Sequence, residues 1–245
     1  MCPKILDVDS YLLMIIIGVI LAFILVTLYF RYKKFSGQDI VDLLICSSFA
    51  IAFGIMFAVL FQALYDLKWE WKLTFFGGLI GGVLGFLLTY YIFIRKNSTL
   101  RMDEVVKIAP CAITLAHSVG RIGCFLEGCC YGKTTGTILD MYFPTLARRV
   151  LPTQLFEAIF LFILTIILIL LVFKFNFKYT FIIYLGSYSI FRFIIEFFRD
   201  DPRGGFIPFI SPSQFWCIII WILIIPLYIF LKKKVFVHET ESANR

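Results

Sequence analysis

Seven times along the chain an apolar run of roughly membrane-spanning length ends in a basic or polar break, and that repetition leaves few folds open. The runs cover about residues 11–30, 40–64, 73–94, 105–126, 154–173, 177–198 and 214–231. Each is near the ~20 residues a helix needs to cross hydrocarbon, and none alternates as a barrel strand would. With 61% apolar and 16% charged residues and a mean hydropathy of +0.93, the chain is read as an all-α integral membrane protein of seven transmembrane helices. Residues 1–245 form a single transmembrane domain in this reading, with 232–245 as a cytoplasmic tail. Arg31-Tyr-Lys-Lys34 follows Phe30 directly, with no small-residue cleavage site, so the first run is read as a retained span.

Charge sets the expected orientation. Segments after the odd-numbered runs hold the larger share of Lys and Arg, including Arg31, Lys33 and Lys34 and the Lys232-Lys233-Lys234 cluster. Lys and Arg in short loops favour the cytoplasm, which predicts an outside amino terminus and a cytoplasmic carboxyl terminus. The formal charge of +7 then belongs to the membrane surface, with no soluble face that argues for nucleic acid. Asp39 and Asp42 stand where they can cap the second helix, and the glycines of Phe76-Gly-Gly-Leu-Ile-Gly-Gly82 predict close helix contact in the third.

One stretch concentrates the chemistry: His117-Ser-Val-Gly-Arg-Ile-Gly-Cys-Phe-Leu-Glu-Gly-Cys-Cys-Tyr-Gly132. Arg121 brings a permanent charge toward lipid, and Gly120, Gly123, Gly128 and Gly132 let the backbone approach a bulky partner. His117 lies four residues before Arg121, so one helix face carries a candidate general base beside a fixed cation. The alternative is a histidine that bonds a carbonyl across a helix interface. Near the end of the sixth run, Tyr188, Arg192, Glu196 and Arg199 fall at spacings of 4, 4 and 3, one helical stripe in which Arg192 can pair with Glu196. That stripe reads either as a structural ion pair or as a second arginine that joins Arg121 in clamping a phosphate. The polar connection from 133 to 151 is the longest loop. Cys124, Cys129 and Cys130 cluster near His117, and their pattern leaves packing, a disulfide, a catalytic thiol and a metal site all open.

Several of these stretches resemble the signatures of the prolipoprotein diacylglyceryl transferases. Gly120-Arg-Ile-Gly-Cys-Phe-Leu-Glu-Gly-Cys-Cys-Tyr-Gly132 is similar to that family's G-R-x-G-N-F-x-N-x-E-x-x-G. Phe76-Gly-Gly-Leu-Ile-Gly resembles H-G-G-L-I-G, Pro152-Thr-Gln-Leu-Phe-Glu157 resembles P-[ST]-Q-L-Y-E, and Arg192-Phe-Ile-Ile-Glu-Phe-Phe-Arg199 resembles R-F-x-x-E-F-x-R; Ser213-Gln214 opens the last run as in the family. The resemblance covers about residues 39–231. It implies a multi-pass protein of the bacterial cytoplasmic membrane that moves a diacylglyceryl group from phosphatidylglycerol, or a related glycerophospholipid, to the lipobox cysteine in a lipoprotein precursor's signal peptide. No metal and no cofactor are implied.

By position, the resemblance assigns Arg121, Arg192, Tyr188 and Glu196 to catalysis; His117, read from its spacing to Arg121, is expected to take over the base role of a family histidine that is Phe76 here. It assigns Gly120, Gly123, Cys124, Glu127, Cys129, Gly132, Gln154, Gly77 and Gly78 to substrate binding. The chain departs from the family at Cys124, Glu127 and Cys129, where asparagine, asparagine and glutamate are usual, and Gly54-Ile-Met-Phe57 replaces a G-R-I-G motif. Those departures leave two alternatives open: a phospholipid-dependent transferase with a smaller acceptor, and a thiol-redox or lipid-binding protein on the same scaffold.

Overall fold

The computed structural model describes residues 4–5, 8–66, 75–95, 100–200 and 210–235. The tail from residue 236 onward and the Phe76 side chain, both read above from the sequence, lie outside the described residues. Among the described residues seven helices are long and apolar enough to cross a membrane: Ser10–Tyr32, Gly37–Phe61, Gly77–Ile94, Met102–Glu127, Thr153–Phe175, Thr180–Phe198 and Pro212–Lys233. These agree with the seven runs in the sequence to within a few residues at most ends. The residues group into two compact units, Thr27–Arg101, and Met1–Val26 with Met102–Arg245.

The smaller unit is built on α2 (Gly37–Asp66) and α3 (Phe75–Thr89), the latter continued by a π-helical turn at Tyr90–Ile94. Asp39 does cap α2: its carboxylate accepts from the Ser36 amide and hydroxyl, while Ser36 Oγ accepts from the Asp39 amide at 3.1 Å. The glycines of α3 face α2. A Cβ at Gly81 would stand 2.5 Å from the Phe53 carbonyl and from Phe57 Cβ, so only hydrogen fits between these backbones. Gly78, expected to line a substrate, has Ala58 and Gly54 beside it instead, and Gly77 is buried in the same helix. Close α2–α3 packing accounts for this patch.

The larger unit holds most of α1 (Ser10–Tyr32) with α4 (Met102–Glu127), α5 (Thr153–Phe175), α6 (Thr180–Ile195) and α7 (Pro212–Phe230). Lipid supplies no hydrophobic force between helices, so packing and interhelical hydrogen bonds hold α4 to α5. Ser118 Oγ donates to the Ala158 carbonyl at 2.8 Å, and Thr165 Oγ1 donates to Thr114 Oγ1 at 2.8 Å. Bonds of this kind contribute about 0.6 kcal/mol each on average. Helix ends are set locally. Asn176 adopts a left-handed conformation, and the amides of Asn176 and Phe177 return to Val172 and Leu171 to close α5. Ser211 and Gln214 form a reciprocal cap that starts α7, with Pro212 in its first turn.

Helices make up the fold as expected, and among the described residues two short antiparallel hairpins accompany them, β1 (Lys4–Ile5) with β2 (Val8–Asp9), and β3 (Met141–Phe143) with β4 (Arg148–Val150). The second hairpin folds the long loop after α4 into a body of its own. Its Phe143 is fully buried, edge-on to Phe125 and Tyr131. Asp140 ties the preceding turn, accepting from the Thr135 and Gly136 amides and from Thr135 Oγ1. Burial raises the Asp140 carboxyl, but these bonds and the Arg149 charge outweigh it and hold the group below the usual carboxylate range.

Candidate active site

Four helix ends meet in the larger unit: the exits of α4 and α6 and the entries of α5 and α7. Backbone bonds join the α4, α5 and α6 ends, and a side-chain bond from Arg192 to Ser213 reaches α7. Gly132 pairs with Arg199 in an isolated bridge, its amide donates to the Leu151 carbonyl, and the Lys133 amide donates to the Phe198 carbonyl at 2.8 Å. A Cβ at Gly132 would stand 2.7 Å from the Phe198 carbonyl oxygen and 2.8 Å from Thr153 Cγ2, so the tight crossing of these segments requires glycine there. Thr153 Oγ1 donates to the Cys130 carbonyl at 2.8 Å, and Gln154 Nε2 donates to the Cys129 carbonyl.

At the centre stands Glu157, one turn into α5 and fully buried. Arg121 Nη2 approaches its Oε1 at 3.0 Å, and Tyr188 donates its hydroxyl to the same oxygen at 2.7 Å. His117 Nε2 accepts from Arg121 Nε at 3.3 Å, lies 3.8 Å from Glu157 Oε1, and sets its ring edge-on to Tyr188 at 5.2 Å. The spacing argument therefore held: His117 and Arg121 share a face of α4. Arg192 Nη1 stands 2.8 Å from Glu196 Oε2 without a hydrogen-bonding angle, and its Nη2 donates to Ser213 Oγ at 2.9 Å. The stripe predicted on α6 runs as far as Glu196, after which the helix tightens into a single 3-10 turn and Arg199 becomes extended.

Arg199 joins the two arginine–carboxylate pairs. Its Nη1 lies 4.0 Å from Glu157 Oε2 and its Nε lies 4.0 Å from Glu196 Oε2. Three guanidiniums, those of Arg192 and Arg199 buried and that of Arg121 half-buried, are thus gathered with the carboxylates of Glu157 and Glu196, and Glu157 Oε2 makes no hydrogen bond. Guanidiniums that converge in a low-dielectric site favour a bound anion. Arg121 and Arg192 do converge, as the sequence suggests, but onto glutamates that hold them in place.

Cys124, Cys129 and Cys130 bring their sulphurs within 4.8 Å of one another beside this cluster. Gly128 and Cys130 take positive φ, 81° and 64°, and so turn the chain back after α4. Thiol hydrogen bonds to Cys124 and Cys130 push the Cys129 thiol up, whereas bonds from Cys124 and Cys129 draw the Cys130 thiol down. Of the glycines assigned to substrate binding, Gly120 borders open space, while the place of a side chain at Gly123 is taken by Tyr11 and Met14 of α1. Gly123 and Gly132 are contact glycines.

A family profile described as prolipoprotein diacylglyceryl transferase matches residues 3–230. The chain belongs to the prolipoprotein diacylglyceryl transferase family. Among relatives named phosphatidylglycerol–prolipoprotein diacylglyceryl transferase, that of Clostridium tetani (strain Massachusetts / E88) is 32% identical over 149 residues, 58% of each chain. Enzyme 2 of that name from Clostridium perfringens (strain 13 / Type A) is 39% identical over 131 residues, 51% of each chain. The protein from Campylobacter jejuni (serotype O:23/36, strain 81-176) is 31% identical over 158 residues, 61% of this chain and 55% of its own. The chain spans about half the length of the curated relatives it matches.

Within this family member, sequence reasoning assigned Arg121, Arg192, His117, Tyr188 and Glu196, all of which the fold gathers around Glu157 and Arg199. It missed three groups. Glu157 stood in the quoted Pro152–Glu157 motif but was given no role, although an acid four residues into an apolar run is itself a functional signal. Arg199 was treated as a stripe member only, and Ser213 as a helix start. Gln154 positions the Cys129 carbonyl with its amide nitrogen, and its Oε1 is buried without a hydrogen bond. Glu127 is half-buried, and its Oε2 likewise makes none.

Proposed function

We propose that this protein transfers the diacylglyceryl group of phosphatidylglycerol to the cysteine thiol of a lipoprotein precursor. The observation that carries the reading is the convergence of the Arg121, Arg192 and Arg199 guanidiniums on Glu157 and Glu196, in a chain of this family. In the reaction, the acceptor sulphur bonds to the glyceryl carbon, the carbon–oxygen bond to phosphate breaks, and its electron pair leaves on glycerol phosphate. The developing phosphate charge is met by arginine donors already oriented by Glu157 and Glu196, so little reorganisation accompanies the chemistry. The bound phosphate draws Arg121 Nε away from His117 Nε2, which then takes the thiol proton. Tyr188 keeps Glu157 aimed at Arg121.

The charge distribution along the sequence supports an outside amino terminus, with the Glu157 cluster toward the outer leaflet, where precursors emerge. The test is transfer from labelled phosphatidylglycerol to a lipobox peptide by the purified protein in detergent. Turnover by the wild-type protein that Arg192→Ala abolishes is the expected result. Undiminished turnover in Arg121→Ala and Arg192→Ala refutes the phosphate assignment.

A further inference from the structure

We propose that Cys124, Cys129 and Cys130 form a zinc site with three thiolate ligands and a fourth position open to water or an incoming thiol. The sequence reading expected no metal here and left the three cysteines undecided; their arrangement argues for one. The three Sγ atoms lie within 4.8 Å of one another. Zinc–sulphur bonds of about 2.3 Å in a tetrahedral site set sulphurs about 3.8 Å apart, so side-chain rotations close the gap without moving a helix.

The backbone is built to hold this trio. Cys124 is fixed on α4, and the Cys129 amide donates to its carbonyl at 3.2 Å. Thr153 and Gln154 hold the carbonyls of Cys130 and Cys129 from α5. Cys130 sits at φ 64°, a conformation that glycine adopts with less strain, and Gly128 two residues earlier has the same sign of φ. A thiol kept at a strained position is a pointer to function, where plain packing asks for no such conformation. Burial is graded in the same sense. Cys124 is buried, while Cys129 and Cys130 are half-buried, so the trio has a closed side and a side an ion can enter.

Softness of the donors selects zinc or copper(I) over calcium or magnesium, and the open fourth position is the arrangement of zinc sites that bind exchangeable ligands. The proposal rests on the thiols alone and stands apart from the transferase reading.

Its test reads metal directly. The full chain, purified in detergent under reducing conditions, loaded with zinc chloride and freed of excess, should hold one zinc per chain by elemental analysis. Cobalt(II) in its place should give a sulphur-to-metal charge-transfer band. Cys130→Gly suits the left-handed backbone and so keeps the fold; it should weaken zinc binding at least tenfold, as should Cys124→Ser. Cys217→Ala, away from the trio, should leave one zinc. A zinc-free wild-type protein, zinc retained in both trio variants, or a disulfide among the three cysteines after thiols are trapped in intact membranes overturns the site. Transfer activity measured on the same samples reports separately, since loss of zinc and loss of turnover are distinct readouts.

Discussion

α4 buries charge at both of its ends, and the two clusters differ in a way that separates architecture from chemistry. Near its start, Lys107 is fully buried and pairs with Glu104 one turn earlier at 2.9 Å, and its carbonyl receives the Thr180 hydroxyl at 2.8 Å. That pair joins neighbours one turn apart on the same helix. Near its end, Arg121 reaches across to Glu157 on α5, and the cluster extends through Arg199 to Arg192 and Glu196. A local pair can stitch a helix terminus into the fold. A network drawn from several elements depends on the tertiary structure to hold its charges together, and is where the proposed phosphate contacts lie. Buried charge alone identifies neither role; the number of contributing elements separates them.

Removing one charge from each end tests the contrast most strongly. Arg121→Ala and Arg192→Ala should each lower transfer by about a hundredfold or more, the scale of losing one preorganised donor to developing charge. Melting in detergent should report whether their folding survives. His117→Gln should cost about a hundredfold through loss of the base and should flatten the acid limb of the pH–rate profile, along which wild-type activity rises as the imidazole loses its proton. At the other end, Lys107→Met should remove the cation that meets buried Glu104 at 2.9 Å and destabilise by about 3–5 kcal/mol. The double change Lys107→Met with Glu104→Leu should recover most of that stability, and specific activity of the folded protein should stay near wild type. If Lys107→Met abolishes turnover in a folded protein, the division into architecture and chemistry fails.

Two smaller effects sharpen it. Tyr188→Phe removes the hydroxyl that steadies Glu157 and should reduce turnover by about tenfold, in line with about 1.5 kcal/mol for a hydrogen bond to a charged group. Asp140→Ala should leave turnover nearly unchanged while lowering hydrogen-exchange protection around Thr135 and Gly136. The Asp140 carboxyl titrates lower in the folded chain than in the unfolded one, so its stabilisation is present above the unfolded value. Acid removes it as the pH falls through the lowered folded value.

Much of the frame is legible along the chain because its signals are local. Apolar length marks the seven helices, Ser36 and Asp39 mark the start of α2, and the glycines of α3 announce close contact with a neighbour. Spacing also placed His117 on the face of Arg121 and Arg192 within reach of Glu196. The β3–β4 hairpin escaped notice, since three-residue strands between charged turns carry too little alternation to register. The glycines assigned by motif show another limit: a Cβ at Gly123 or Gly132 would meet protein, and a motif carries no sign of that neighbour.

Taken by itself, the order of residues determined that this polypeptide crosses a membrane as helices, and that two arginines sit where a purely structural segment would have leucine. Period, run length and charge need no knowledge of what lies far away in the chain. Only the folded arrangement decided that both arginines meet through Glu157 and Arg199, and that three thiols converge beside them. Those relations join residues up to some seventy positions apart, and the crossing of four helix ends, which no local pattern encodes, creates them.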